Sequence, residues 1–388
     1  MGLTRLNVYA GLLGAYLIRD PKAEFGLPVG KYDVPLVMQD KSFLGAIGGA
    51  ANELYYPDPW APEFFGDVMV VNGKAWPNLN VDRGVYRFRL MNGSSARFYN
   101  VHLSDGAKLI QIGSEYGLVS KLLPLDSLVV PPGERAELLI DFSQYAPGTK
   151  LILENIDLPT GVVSPADPPI TQIMQFTVTS ATGWPLQRIP AALRPNNPIL
   201  PLPRPANIRK RYLTLVEIMG ATGPVMALLN NRRFDTTDIE EVKVNTVEEW
   251  NIINTTADTH PIHLHLIGFQ LAERQAFDVP GYLLATYGTE ELMETDVGTG
   301  PWPPPAPDSF LTGPVLPRGA FEAGWKDTVQ VHPGLVTRLL VPFGPSAAPG
   351  IPFGQQHLAN PFTGDYLWHC HILDHEDNDM MLPYKVTL

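Results

Sequence analysis

Six of the nine histidines and the only cysteine of this 388-residue sequence fall into two short segments. The first is His260-Pro261-Ile262-His263-Leu264-His265. The second is His369-Cys370-His371, followed by His375 and, ten residues after the cysteine, by Met380. A thiolate and two imidazoles with a weak thioether suit copper that must cycle between two oxidation states. Zinc favours a closed tetrahedral set and leaves the methionine unexplained. If the second segment is a strand, His369 and His371 point to one face and Cys370 to the other. The cysteine can then bind one copper while its neighbours bind a different cluster behind it, a few covalent bonds away. The same alternation puts His263 and His265 on one face. Taken singly, each histidine is explained by a core or surface role, and a lone cysteine is most often an inert buried residue. The set as a whole, ending in a thioether, has no such explanation.

The elements that must position these residues read as strands. With 39 Pro and 34 Gly, long helices are disfavoured and a turn-rich β protein is favoured. Val68–Val71 and Tyr86–Leu90 are β-rich runs separated by Asn72-Gly73 and a turn region at Pro77–Asn80. Further runs follow at Leu109–Ile112, Leu128–Val130 and Leu138–Ile140. A passage with seven prolines, Pro185–Pro205, reads as an interdomain linker.

The second half of the chain repeats the first. Pro131-Pro132-Gly133, Leu138-Leu139 and Phe142 recur 201 residues later as His332-Pro333-Gly334, Leu339-Leu340 and Phe343. Asn92–Leu103 pairs with Asn254–Leu266 at an offset of 163, one residue being gained, so about 38 residues are inserted in the later copy, within Asp278–Ala320. Two copies of one β-sandwich are the simplest explanation. This alignment sets His260 against Arg97, His263 against Asn100 and His265 against His102. It makes His102 a structural residue, and His332, facing Pro131, a turn position. Neither is expected to bind metal.

Bulk properties narrow the function. The formal charge of −12 argues against nucleic acid or an anionic membrane surface as partner. One cysteine excludes an intrachain disulfide and says little about compartment, which stays open. The apolar stretch Leu6–Ile18 is too short to span a bilayer and ends in Arg19-Asp20-Pro21 rather than at a small-residue cleavage site.

HPIHLH and HCHILDHEDNDMM resemble the two C-terminal copper motifs of multicopper oxidases. The similarity is greatest to bacterial spore-coat laccases and to related bilirubin-oxidase and phenoxazinone-synthase enzymes. LTRLNVYAGLLGAYLIRDP, VNGKAWP, YRFRLMNGSSARFYN, QIGSEYGL and GWKDTVQVHPG resemble that family's framework, so the likeness covers nearly the whole chain. The resemblance implies an all-β fold of cupredoxin-like Greek-key β-sandwich domains with copper as cofactor. It implies that His260, Cys370, His375 and Met380 are the mononuclear type 1 ligands. His263 is then a type 2 ligand, and His265, His369 and His371 are type 3 ligands. Glu376 falls where the family has an acidic residue that assists proton delivery to oxygen. Substrate electrons are expected to enter at His375 or at the copper edge beside it.

Two further expectations come from where the chain departs from that pattern. Family members have three such domains, and the first supplies four histidines of the trinuclear cluster from two His-x-His motifs. Outside the two C-terminal segments this sequence has no His-x-His motif; His102, His332 and His357 are scattered singly. The expected organisation is a remnant of a first domain over residues 1–30, a second domain without copper ligands over 31–184, the linker over 185–205, and a third domain over 206–388. The third domain carries a complete type 1 site and half of a trinuclear site. Leu6–Ile18 is expected to be a remnant strand, left without neighbours and free to mediate self-association. The expected function is one-electron oxidation of phenols or aromatic amines coupled to reduction of dioxygen to water, with the oxygen site incomplete in this chain. The alternative is a non-catalytic type 1 copper or electron-relay protein. A metal-free structural protein would leave Met380 unexplained.

Overall fold

Short strands, many of them buried along most of their length and punctuated by left-handed turns, build this chain. Asn72 (φ 50°) and Gly73 (φ 78°) both adopt the left-handed conformation that a two-residue hairpin needs, and they join Val68–Val71 to Lys74–Ala75. The computed structural model describes residues 3–20, 24–45, 53–55, 60–164, 168–196, 198–221, 223–344 and 363–388; His357 lies outside them. The strand runs expected at residues 68–71, 86–90, 109–112, 128–130 and 138–140 all lie within strands. Pro77–Asn80 does not form the expected turn: Asn78–Arg83 is an edge strand, paired in parallel with Gln172–Thr182. Proline just before an edge strand costs no ladder bond, which is why its turn signal misleads.

The chain divides into two compact units. One comprises Ile199–Leu388 with Met1–Thr4 and Thr160–Val163; the other comprises Arg5–Pro159 with Ser164–Pro198. Each holds two sheets. In the N-terminal unit the larger sheet runs Gly117–Leu125, Leu109–Ser114, Arg135–Asp141, Val85–Asn92, Asp33–Lys41, Val68–Val71. In the C-terminal unit it runs Leu311–Pro317, Gln270–Phe277, Leu335–Phe343, Thr246–Asn254, Arg209–Gly220, Gly223–Leu229. The smaller sheets run Ser127–Val130, Tyr99–Leu103, Lys150–Asn155, Gln172–Thr182, Asn78–Arg83 and, correspondingly, Thr328–Val331, His260–Leu264, Gly364–Cys370, Met381–Thr387, Glu240–Lys243. The orders match strand for strand, including the parallel pairs in each sheet.

Strand register corrects the sequence alignment of the two copies. Val130 pairs with Tyr99 and Val331 with His260, and Val130 and Val331 are themselves 201 residues apart. His260 therefore corresponds to Tyr99 rather than Arg97, and His263 to His102 rather than Asn100. The loop from Asn254 to His260 is one residue shorter than its counterpart, not longer. A two-residue slip leaves the inward and outward alternation unchanged, so hydropathy could not detect it.

The cores repeat as well. In the C-terminal unit Trp250 of one sheet meets Trp368 and Tyr384 of the other, with ring centroids 6.1 and 5.9 Å apart at near-perpendicular angles. Edge-to-face pairs of this kind add about 0.5–1.5 kcal/mol beyond area burial. Phe88 and Phe142 take the places of Trp250 and Phe343 in the N-terminal unit, both against Phe176 at 5.2 Å. Trp368 is fully buried two residues before Cys370, so this aromatic cluster anchors the strand that carries the cysteine.

The expected strand over Leu6–Ile18 is absent. Thr4–Tyr9 is a short helix, and the rest of the stretch is irregular. Gly11, at φ 106°, ends the helical turn, and an apolar run of this length reads equally as strand or helix. Tyr9 is buried, while Leu12, Tyr16 and Ile18 are 74, 91 and 84% exposed. Leu13 docks where Gly93 leaves room: a Cβ there would lie 2.0 Å from its Cδ2. Within the Pro-rich passage, Leu193 is buried in a core cluster of the N-terminal unit with Leu27, Val85 and Leu139. The Asp278–Ala320 segment has structure of its own, a helix at Val279–Tyr287 and an edge strand at Leu311–Pro317.

Candidate metal centre

Two adjacent strands and one turn assemble the site. Gly364–Cys370 pairs antiparallel with His260–Leu264, aligning Ile262 with Cys370 and His263 with His369. His371 continues the ladder by donating its N–H to Pro261 O at 2.7 Å. After the strand, a helical turn at Leu373–Glu376 folds back. Its ends are tied by Met380 N–H to His375 O and Cys370 N–H to Met380 O, both 3.0 Å. The tight return is what brings a residue five positions beyond the cysteine beside it.

The result is two groups of metal-type donors. In the first, Cys370 Sγ lies 3.6 Å from His260 Nδ1 and 3.7 Å from His375 Nδ1. Cys370, His260 and Met380 are fully buried and His375 nearly so. The Ile372 N–H donates to Sγ at 3.4 Å, a contact that favours a thiolate. In the second, ligand atoms of His263, His265 and His369 lie within 4.8 Å of one another. His265 Nε2 and His369 Nε2 are 3.1 Å apart. The His371 ring is 5.6 Å from that of His369 and 6.0 Å from that of His263. His369 and His371 thus stand with the second group, and Cys370 between them belongs to the first.

Electrostatics leaves both groups ready for a cation. Burial, with His375 nearby, holds His260 well below the usual imidazole range. Burial and the neighbouring His371 and His263 do the same to His369, and burial lowers His265. Neutral rings at His260, His265 and His369 offer lone pairs, and close packing of such donors is an arrangement a metal ion stabilises. Supporting contacts orient the rings. His263 Nδ1 lies 2.9 Å from Asp327 O, and His369 Nδ1 lies 2.9 Å from Cys370 O, so Nε2 of each faces its neighbours. Glu376 Oε2 is 3.4 Å from His369 Nδ1, and burial, reinforced by Asp377, pushes this carboxyl up to about 7.

Three residues beside these groups carry no signal in the sequence. Thr256 Oγ1 is 2.7 Å from His260 Nε2, Glu217 Oε1 is 4.0 Å from the same nitrogen, and Asp327 Oδ1 is 3.4 Å from His263 Nδ1. Asp327 lies in the GWKDTVQVHPG stretch, but nothing about a single acid there points to a role. The two described histidines outside the motifs stand apart from both groups. His102 Nδ1 is 3.3 Å from Glu154, and His332 Nδ1 is 3.3 Å from Thr259 Oγ1. By register, His102 and Glu154 occupy the places that His263 and His369 hold in the C-terminal unit.

Comparison with known proteins identifies the family. The profile of the multicopper oxidase family matches residues 205–387. The chain is 39% identical over 404 residues to a laccase of Bacillus subtilis (strain 168), covering 100% of this chain and 69% of that protein. It is 34% identical to the multicopper oxidase LPR1 of Arabidopsis thaliana, covering 100% of this chain and 66% of that one. Among solved structures, the McoA multicopper oxidase from the hyperthermophile Aquifex aeolicus superposes with a TM-score of 0.74 at 27% identity, over 100% of this chain and 74% of its own. The chain therefore belongs to the multicopper oxidase family, whose metal is copper and whose general activity is that of an oxidase.

Proposed function

We propose that this chain is the type 1 copper portion of a laccase-type oxidase, with phenols or aromatic amines as electron donors and dioxygen as acceptor. The observation that carries the reading is the buried Cys370 Sγ between two imidazole Nδ1 atoms at 3.6 and 3.7 Å, backed by a second imidazole group on the other face of the strand. His260, Cys370, His375 and Met380 are proposed as the residues that would hold one copper. His263, His265, His369 and His371 are proposed as ligands of the oxygen-reducing cluster. Copper held at these positions supplies one-electron redox chemistry. A soft thiolate with two neutral imidazoles fits that metal better than a hard divalent cation.

The roles of the chain's own groups follow. Each donor molecule gives up one electron and a proton, and four of each convert dioxygen to two waters. His375, on the turn that follows the Cys370 strand, is the ring we place nearest the electron donor. Cys370 links the two groups through the short backbone path to His369 and His371. Glu376, beside His369 Nδ1, is positioned to hold and hand on a proton at Oε2.

Among the described residues the second group contains four histidines, and this favours a second reading in which the chain alone binds and relays electrons through type 1 copper only. Copper stoichiometry with oxygen uptake separates the two. The expected result is about one tightly bound copper per chain, an intense blue colour lost in Cys370→Ser, and little turnover. Copper-loaded protein without absorption in the red refutes the type 1 assignment. Robust four-electron oxygen reduction by the 388-residue chain refutes the incomplete cluster, and its dependence on protein concentration then tests a cluster shared between self-associated copies.

A further inference from the structure

We propose that Thr256 is a positioning residue, whose hydroxyl holds the His260 ring with its proton on Nε2 and so leaves Nδ1 as the lone pair offered beside Cys370 Sγ. The inference rests on the copper reading above for its consequence, but its structural part stands without metal.

Backbone contacts orient Asn254, and the hydrogen bonds around it favour one direction at Thr256. Asn254 Nδ2 donates to Asp258 O at 2.8 Å and to Val331 O at 2.9 Å, which orients the amide. Its Oδ1 must then be an acceptor, and it accepts from Thr256 N–H at 2.9 Å and from the Thr256 hydroxyl at 2.8 Å. The hydroxyl has one proton, and Asn254 Oδ1 at 2.8 Å and Asp258 O at 3.2 Å both stand ready to accept it, which leaves the hydroxyl oxygen to accept. His260 Nε2 stands 2.7 Å away, and we assign it as the donor. Thr256 and His260 are both buried, so water does not compete for this bond. A ring with its proton on Nε2 presents Nδ1 bare, and Nδ1 is the atom 3.6 Å from Cys370 Sγ.

The N-terminal unit carries the same device on a different residue. There Asn92 Nδ2 donates to Arg97 O and Val130 O, both at 2.8 Å, and Asn92 Oδ1 accepts from Ser94 N–H at 2.9 Å. Ser94 Oγ lies 2.9 Å from the hydroxyl of Tyr99, the residue that takes the place of His260. An asparagine that clamps the loop and a hydroxyl that grips the strand residue thus belong to the fold. In the C-terminal unit the gripped residue is an imidazole, and the fold device becomes a choice of tautomer. Groups that fix ring orientation around a metal typically contribute about 10- to 100-fold in metal affinity.

Glu217 Oε1, 4.0 Å from His260 Nε2, is the acceptor that could replace a lost hydroxyl, so the deciding variant is Thr256→Val combined with Glu217→Gln. In metal-free protein with 15N-labelled histidine, wild type, Glu217→Gln alone and the double variant with Thr256→Ser are expected to show His260 protonated on Nε2. The Thr256→Val double variant is expected to show a substantial Nδ1–H population. Competition against a copper chelator is expected to show affinity about 10- to 100-fold weaker in that double variant and restored by serine. In the copper-loaded protein its reduction potential is expected to rise, because the imidazole donor becomes less basic. If the Val variant does not fold, Thr256→Ala carries the same expectations. An unchanged tautomer together with wild-type copper affinity overturns the proposal, as does Glu217→Gln alone reproducing the whole effect. Should wild type bind no copper with a blue band, the type 1 reading fails, while the tautomer of the metal-free chain still decides the role of Thr256.

Discussion

Replacing His332 by glutamine is expected to make the protein more resistant to acid. The ring sits at the end of the Thr328–Val331 strand with Nδ1 3.3 Å from Thr259 Oγ1, a contact that glutamine can keep. Burial, with the Arg274 cation adding to it, lowers this histidine from 6.5 to about 4. Between those values the unfolded chain carries a proton at His332 and the folded chain does not. Its contribution is therefore intact above pH 6.5 and is lost as the pH falls through 4. Each pKa unit corresponds to roughly 1.36 kcal/mol, so a gap of about 2.5 costs up to about 3 kcal/mol by pH 4. Urea unfolding of metal-free wild type and His332→Gln at several pH values, followed by circular dichroism, measures the difference directly. Other titrating groups are common to both proteins and cancel. The stability difference should move by about 3 kcal/mol in favour of the variant between about pH 7 and pH 4. A difference that stays constant across that range refutes the reasoning.

Three further outcomes follow from named contacts. Met380→Leu should keep the blue colour and raise the reduction potential, since the thioether proposed as a weak donor that favours copper(II) is removed; a lower or unchanged potential points to Met381 instead. Arg97→Met should destabilise the N-terminal unit by about 3–5 kcal/mol, because it strands the buried Asp40 carboxylate that Arg97 Nε now meets at 2.8 Å. A loss under about 1 kcal/mol in urea unfolding contradicts that expectation. Tyr16→Ser with Ile18→Ser should raise solubility without changing the copper spectrum, as these side chains are 91 and 84% exposed. Unchanged precipitation in a salt series removes this segment as a source of self-association.

Much of the candidate site is legible in the sequence. Ligand-type residues are concentrated in two segments, and alternation along a strand separates Cys370 from His369 and His371 whatever the surroundings. The return of His375 to the cysteine is legible only through the family motif, because it depends on the turn closed by Met380. Strand positions at Val68–Val71 or Arg135–Asp141 are legible because β-rich runs there end at turn residues. The register of the two copies is not. Two alignments of the His260 strand two residues apart have the same pattern, and only the pairing of Val331 with His260 separates them. Thr256 and Glu217 are invisible for a related reason. Their roles come from a loop conformation and an approach between two sheets, which leave no periodic trace. The N-terminal stretch misleads because apolar content reports a preference for burial without naming the partner that supplies it.

The central claim is that Cys370, His260 and His375 together hold one copper. X-ray absorption at the copper edge, on the 388-residue chain loaded with a single equivalent, tests it most directly. One short copper–sulfur distance with two imidazole nitrogens is predicted, the sulfur shell vanishing in Cys370→Ser. A first shell of nitrogen and oxygen alone in the wild-type chain contradicts the account.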